Sequence, residues 1–198
     1  MNRMLMGMMA VAALAACGGE QQGGQTGADA AATAPAETAP AAAPATGAVT
    51  DPQIADIVVA ANQVDIAAGE LAQSRASNPQ VKEFAQRMIT DHTGVNQAAS
   101  DLVTRLGVTP EPNPTSQQLR QGGEQNRSQL QGLSGSEFDR AYIGHEVTYH
   151  QQVLDAINNT LIPNAQNAEL KALLQQTAPA VEAHLQHARQ IQSSLGQS

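Results

Sequence analysis

From residue 51 onward, apolar side chains recur at intervals of three and four residues, which is the spacing of one face of a helix. The pattern divides into four long segments, at about 51–77, 80–106, 136–162 and 167–195. No segment alternates apolar and polar residues as a strand does. Because one long connection separates two pairs of neighbouring helices, we predict an all-α fold, an antiparallel four-helix bundle.

Residues that start and stop helices bracket these segments. Asp51-Pro52 is a capping residue followed by proline at the first helical position, and Gly107 is the expected stop of the second helix. Pro179 lies inside the fourth helix, where a proline kinks the axis. The long connection has room for a short helix around 116–133, although two adjacent glycines weaken that prediction.

The N-terminal part of the chain has a different composition. Residues 1–16 combine one arginine, an apolar Met/Ala/Leu-rich run and small residues before a cysteine, which is typical of a signal peptide. Leu-Ala-Ala-Cys at 14–17 resembles the lipobox of bacterial lipoproteins. That resemblance implies a lipidated Cys17 as the mature N-terminus. Gly18 after the cysteine implies, by the same analogy, an outer-membrane location facing the periplasm.

Residues 17–50 are mostly Ala, Pro, Gly, Gln and Thr with few large apolar side chains. Such a stretch buries too little surface to offset the entropy lost on ordering, so we predict a disordered tether. The folded domain is then expected at 51–198. Cys17 is the only cysteine, so no disulfide can form within the chain.

Charge and motif content narrow the functional classes. The formal net charge is −8, Lys and Arg occur singly, and there are only two Phe and two Tyr, so we expect no nucleic-acid partner. The chain has no Gly-x-Ser-x-Gly motif and no glycine-rich phosphate loop. The expected partner is the membrane, through the lipidated Cys17; no pattern identifies a protein partner.

Three of the five histidines occupy apolar-stripe positions on three different helices, and the remaining helix has a carboxylate at such a position. These residues are Asp65, His92, His150 and His184. Each lies within about one turn of the middle of its helix, so we expect all four at a similar height. Three imidazoles and one carboxylate in an aliphatic core predict a mononuclear centre for zinc, copper, nickel or iron.

A di-iron centre would require a Glu three residues before the ligand histidine on two helices. The residues at that offset are all apolar: Ile89, Val147 and Val181. We therefore expect no di-iron site.

Carboxylates near the histidines in sequence are candidates to orient them by hydrogen bonding, although such residues are often simply solvated. They are Asp91, Glu146 and Glu182. His145 and His187 are expected at the surface or its boundary, and Glu70 is expected to be exposed. A second interpretation needs no metal: Asp65 pairs with an imidazole, and a hydrogen-bonded polar layer sets the helix register.

Several short segments resemble the DUF4142 family, a mostly exported bacterial group of unknown function in the ferritin-like superfamily. They are Asp65-Ile66, Val-Lys-Glu-Phe-Ala-Gln-Arg-Met at 81–88, Asp91-His92, Leu133-Ser134-Gly135 with Phe138-Asp139 and Tyr142, His150, and His184-Leu185. The resemblance covers roughly 52–192. It implies a ferritin-like fold and no established reaction. The family usually has Glu where this chain has Asp65.

Three functional hypotheses follow. The leading one is a non-enzymatic envelope lipoprotein whose helical domain binds a single transition-metal ion. The second is a structural or interaction domain of the envelope whose His/Asp layer serves packing. The third, ranked last because the paired Glu/His motif is absent, is a metal-dependent oxidoreductase.

Overall fold

The computed structural model describes residues 48–196; the predicted signal peptide, Cys17 and most of the tether lie outside this range. The helices are α1 (Asp51–Arg75), α2 (Pro79–Leu106), α3 (Pro114–Gln131), α4 (Gly135–Ala156), α5 (Ile162–Asn164) and α6 (Ala168–Leu195), with a π-helical segment, Ile157–Leu161, between α4 and α5. No strand occurs among these residues. The all-α prediction is confirmed.

Residues at the start of α1 form hydrogen bonds both within α1 and with the backbone just before α6. Thr50, not Asp51, is the N-cap of α1, and its N–H donates to Oε1 of Gln53 at 3.2 Å. The Asp51 carboxylate instead accepts hydrogen bonds from the backbone N–H groups of Gln166 (2.9 Å) and Asn167 (2.8 Å), just ahead of α6. An acidic side chain near a helix N-terminus also complements the helix dipole. The capping role predicted for Asp51 therefore falls to its neighbour.

Gly107 and Pro179 were predicted to affect the course of helices, and the structure shows a helix end at only the first of them. Gly107 ends α2 in the left-handed conformation, with φ of 65°, as expected of a C-terminal glycine. Pro179 lies inside α6, which nevertheless continues as one helix of 28 residues. The sequence pattern does not predict the π-helical segment. Pro163 has no N–H to donate, and the N–H of Ile162 bonds to the carbonyl of Ile157, five residues earlier.

The helix predicted around 116–133 in the long connection is present as α3, which has 18 residues and begins two residues earlier. Its start is capped reciprocally: Asn113 Oδ1 accepts from the Ser116 N–H, and Ser116 Oγ accepts from the Asn113 N–H, both at 3.1 Å. Arg120 donates to both carboxylate oxygens of Asp56 in α1, at 2.7 and 3.1 Å. That bond holds the pKa of Asp56 below its ordinary value. These tertiary contacts, which the local pattern does not contain, stabilise the helix despite its two adjacent glycines.

The helices pack as a bundle. α1 lies along α2 and along α3, α4 lies along α6, and α2 also contacts α6. The short connection at 76–78 makes α1 and α2 antiparallel neighbours. None of the helices within residues 48–196 combines the length and the apolar character that a bilayer crossing demands.

Apolar side chains form two separate clusters in the core. One contains Phe84, Met88 and Tyr142, and the other contains residues such as Ile54 and Leu174. Along each of α1, α2, α4 and α6, buried polar residues lie between the stretches that supply the two clusters. These polar residues are Asp65, His92, Glu146, His150 and His184. A polar layer therefore crosses the middle of the bundle.

Candidate metal centre

The four side chains predicted to form a metal site lie together in this polar layer. Asp65 is 2% exposed, His92 5%, His150 1% and His184 5%. The ring centroids of the three histidines are separated by 5.7, 5.4 and 5.5 Å. Helical periodicity brings them together because each occupies the inward stripe near the middle of its own helix.

The orientation of His92 is set by an amide in α1. Asn62 donates through Nδ2 to the carbonyl of Val58 at 2.8 Å, which turns its Oδ1 toward His92. His92 Nδ1 lies 2.7 Å from that oxygen, so Nδ1 is the nitrogen that holds the proton and donates. His92 Nε2 is then unprotonated. It is buried, has no hydrogen-bond partner, and lies 3.4 Å from Oδ2 of Asp65.

The other two imidazoles follow the same rule. His150 Nδ1 donates to the backbone carbonyl of Glu146 at 3.0 Å. His184 Nε2 donates to Oδ2 of Asp91 at 2.9 Å. The second nitrogen of each ring, Nε2 of His150 and Nδ1 of His184, is buried without a hydrogen-bond partner. Each of the three rings therefore keeps one nitrogen with a free electron pair.

One ligand atom from each of His92, His150 and His184 lies within 4.8 Å of the other two. Nitrogen ligands about 2.0–2.1 Å from one zinc ion lie no more than about 4.2 Å apart, so small side-chain movements suffice to bring the three atoms to coordination distance. An outer nitrogen that donates to a carboxylate, carbonyl or amide oxygen fixes the ring and its tautomer, as is usual for metal-bound histidines. The arrangement can hold a single cation between the rings.

Two carboxyl groups adjoin the imidazoles. Glu146 is fully buried, its Oε2 lies 3.3 Å from Nδ1 of His150, and one of its carboxyl oxygens lies within 4.8 Å of a carboxyl oxygen of Asp65. Asp65, Glu146 and His150 form a second group of ligand atoms that lie within 4.8 Å of one another. The centre therefore contains three nitrogen and two carboxyl donors.

Burial shifts the proton affinities of these groups. It lowers the pKa of His92 to about 3, with smaller contributions from His150 and His184, and it also lowers the pKa of His184. Burial raises the pKa of Asp65 well above its ordinary value and that of Glu146 to about 8. At neutral pH the imidazole of His92 is therefore uncharged, and its free nitrogen can bind a cation without first releasing a proton.

Comparison with known proteins places the chain in a family. The family model named "Domain of unknown function (DUF4142)" matches residues 35–191, which is most of the sequence. The chain belongs to the DUF4142 family. No curated protein and no solved structure matches it. The matched region begins within the predicted tether, upstream of the 52–192 that the residue resemblance covers.

Three carboxylates of the DUF4142 domain were candidates to orient the histidines. Asp91 bonds to His184. Glu146 is itself inside the centre, where it accepts through its backbone carbonyl and places its carboxyl beside Asp65. Glu182 is exposed, and no hydrogen bond joins it to a histidine in the described part of the chain. One candidate of the three therefore orients a ring with its side chain.

The remaining histidines of the DUF4142 domain lie at its boundary, as expected. His145 and His187 are half-buried, and Glu70 is exposed. His145 stacks on Tyr149 with ring centroids 5.4 Å apart, and burial lowers its pKa to about 4. His187 packs against the ring of Phe84.

Sequence reasoning missed two members of the DUF4142 centre, Glu146 as an inward residue and Asn62. Their spacing contained a usable signal. Glu146 precedes His150 by four residues, and Asn62 precedes Asp65 by three, and both intervals place side chains on one helix face. The search for a Glu three residues before each histidine tested only one of these two offsets.

Proposed function

We propose that this protein is a metal-binding domain of the bacterial cell envelope. It holds a single transition-metal ion between His92, His150 and His184, with Asp65 as the fourth ligand. A lipidated Cys17 and the tether hold the domain at the outer membrane, facing the periplasm. The lipid anchor is supported by Leu-Ala-Ala-Cys directly after the apolar run.

One observation carries the metal assignment. Each of the three imidazoles donates from one nitrogen and leaves the other buried without a hydrogen-bond partner, and one ligand atom of each ring lies within 4.8 Å of the other two. Leaving a buried acceptor without a donor costs about 1–3 kcal/mol. A cation satisfies all three nitrogens at once.

The alternative is a polar layer that serves packing alone. It would favour imidazoles that donate to one another or to Asp65, because that arrangement leaves fewer acceptors unpaired. Instead, the three rings donate to Asn62, to the Glu146 carbonyl and to Asp91, and no hydrogen bond joins one of these rings to another. This orientation supports metal binding over packing.

The ligand atoms limit which metals the centre can bind. Imidazole nitrogen with one carboxylate oxygen suits zinc, copper, nickel and iron, and it suits calcium and magnesium poorly because those ions prefer oxygen ligands. Asp65 would release its proton on binding the ion and so supply a compensating negative charge. Dioxygen consumption or peroxide turnover by the loaded protein would be the mark of an oxidoreductase.

The test is elemental analysis of the mature chain after chelation, reloading with zinc, copper, nickel or iron, and removal of excess metal. We expect about one ion per chain for at least one metal. The His92→Ala/His184→Ala double variant should lose it, since two of four ligands are gone. His187→Ala is the matched control: it removes an imidazole from α6 outside the cluster and should retain the ion.

Metal at background levels, together with a melting temperature that a chelator does not change, would leave only the packing alternative. Two ions per chain would contradict the single-ion centre. They would indicate a second position at Asp65, Glu146 and His150. Loss of metal from the His187→Ala control would show that binding depends on general stability rather than on the three rings.

A further inference from the structure

A cavity of about 220 Å³ adjoins the three-histidine centre. Its walls are mostly aliphatic, with contributions from Ile57, Val153 and Leu174. For comparison, an apolar cavity of about 150 Å³ stays dry and binds benzene. The space therefore fits a molecule of one small ring or a short alkyl chain.

The two ends of this cavity differ in polarity. At its outer edge are exposed side chains such as Gln152 and Thr160. At its buried end are Asn62, Asp65 and His92, which belong to the candidate metal centre. The cavity thus joins the metal centre to the protein surface.

The buried end has unused hydrogen-bonding capacity. Nε2 of His92 and Oδ1 of Asp65 have no hydrogen-bond partner, and both residues are more than nine-tenths buried. Both are also cavity-lining residues. The proposed ion would pair with Nε2 of His92, but a ligand that filled only the aliphatic part would leave Oδ1 of Asp65 unpaired, which costs free energy.

We infer that this cavity binds a small apolar molecule that carries one hydroxyl group, with the hydroxyl donating to Oδ1 of Asp65 and the apolar body against the aliphatic walls. The inference rests on the proposed function, because the hydroxyl oxygen would then lie beside the bound ion. An ion held by three imidazoles and one carboxylate oxygen can expand from four to five ligands to accept it.

Charge selects the hydroxyl over a carboxylate head. As a ligand of the proposed ion, the Asp65 carboxylate already lies at this end of the cavity, and a carboxylate headgroup would be a like-charge neighbour in a low-dielectric site. An uncharged hydroxyl avoids that repulsion. It also avoids the cost of burying a charge among aliphatic side chains.

The cavity wall includes the π-helical segment that follows α4. Ile157, Thr160 and Leu161 of the π-helical segment are lining residues. Single π-helical turns inside α-helices are frequent at functional sites, because the extra residue moves the backbone outward. The π-helical segment therefore lies where an outward shift of the backbone would enlarge the cavity beside the candidate metal centre.

The experiment uses the mature chain loaded with Co²⁺, whose visible absorption reports its coordination. Phenol and hexan-1-ol are the probes, and toluene is the matched compound without a hydroxyl. We expect both alcohols to change the cobalt spectrum saturably and to bind about tenfold more tightly than toluene, as one hydrogen bond or metal contact predicts.

Two variants fill the cavity from different helices, Ala156→Phe in α4 and Val58→Phe in α1. Each should weaken phenol binding at least about tenfold and keep one cobalt per chain, because the added ring occupies the ligand's space. Ala98→Phe makes the same change at an exposed position of α2 and should bind phenol like the parent protein. If both cavity-filling variants misfold, the comparison of phenol affinity with toluene affinity in the parent protein still tests the inference.

The outcomes separate the two proposals. A chain that binds no cobalt and none of the four metals contradicts the proposed function. A chain that binds cobalt but whose spectrum neither alcohol changes overturns the cavity inference and leaves the metal centre standing. Equal affinity for phenol and toluene, or undiminished phenol binding in folded Ala156→Phe and Val58→Phe, also overturns it.

Discussion

Each imidazole of the centre has two nitrogens, and the partner of the outer nitrogen decides what the inner one can do. Asn62, the Glu146 carbonyl and Asp91 are those partners, and all three are acceptors. Because the partner of the outer nitrogen is an acceptor, that nitrogen must hold the proton. The inner nitrogen of the ring therefore keeps its free electron pair. The chemistry of the centre therefore depends on residues that would not touch the ion.

At this scale we predict that Asp91→Ala weakens metal binding about 10–100-fold, since His184 loses the acceptor that holds its ring and tautomer. Competition with a chromophoric chelator measures the affinity. Glu182→Ala is the matched control, because Glu182 is an exposed carboxylate of α6 with no bond to a histidine among the described residues. Equal affinities in the two variants would show that Asp91 does not orient the ring.

Among the helices, α3 shows how a glycine pair can have two different roles. Gly122 faces open space, whereas a Cβ on Gly123 would lie 2.6 Å from Cγ2 of Val64 in α1. Gly123 therefore permits the close approach of α3 to α1 that the Asp56–Arg120 pair also maintains. The two adjacent glycines were expected only to weaken the helix, but the packing of α3 on α1 requires Gly123.

We accordingly expect adjacent substitutions to have opposite signs. Gly123→Ala should lower the free energy of unfolding by about 1–3 kcal/mol, because Val64 has a stiff, branched side chain that cannot move aside freely. Gly122→Ala should raise it by about 0.5–1 kcal/mol through helix propensity alone. Urea unfolding monitored by circular dichroism measures both. Stabilisation by both substitutions would mean that α3 does not pack closely on α1.

For the whole molecule, the position of the polar layer between two apolar clusters is the dominant feature. Each cluster can stabilise its own end of the bundle, so the layer between them is not needed to supply hydrophobic burial. The centre can therefore hold polar groups that would be costly elsewhere. The tether and the lipid would then present this self-contained domain at a membrane surface.

The membrane location is tested on the full chain in a bacterial host. We expect the parent protein to enter the detergent-rich phase and the outer-membrane fraction, and Cys17→Ser to appear in the aqueous phase, since the acylated residue is gone. Gly18→Asp is the matched variant, because the lipoprotein analogy assigns the outer membrane to chains that have a residue other than Asp after the cysteine. It should keep the lipid and move to the inner membrane. Identical partitioning of the parent and Cys17→Ser would contradict the lipid anchor.

Local patterns determined the helices and the height of the site. Periodicity and the residues at helix ends act within a few positions, so the sequence alone located the four helices of the bundle and a helix in the long connection. It also put Asp65, His92, His150 and His184 on inward stripes. The equal distance of these residues from their helix ends then predicted that they share a layer.

Tertiary structure alone decided which atoms face one another. The bond from His184 to Asp91 spans 93 positions, the bond from His92 to Asn62 spans 30, and the approach of Gly123 to Val64 depends on how closely two helices pack. Such contacts are set by the rotation and separation of helices, which periodicity does not specify. The free nitrogens, the inward Glu146 and the cavity beside them all arise from that relative placement.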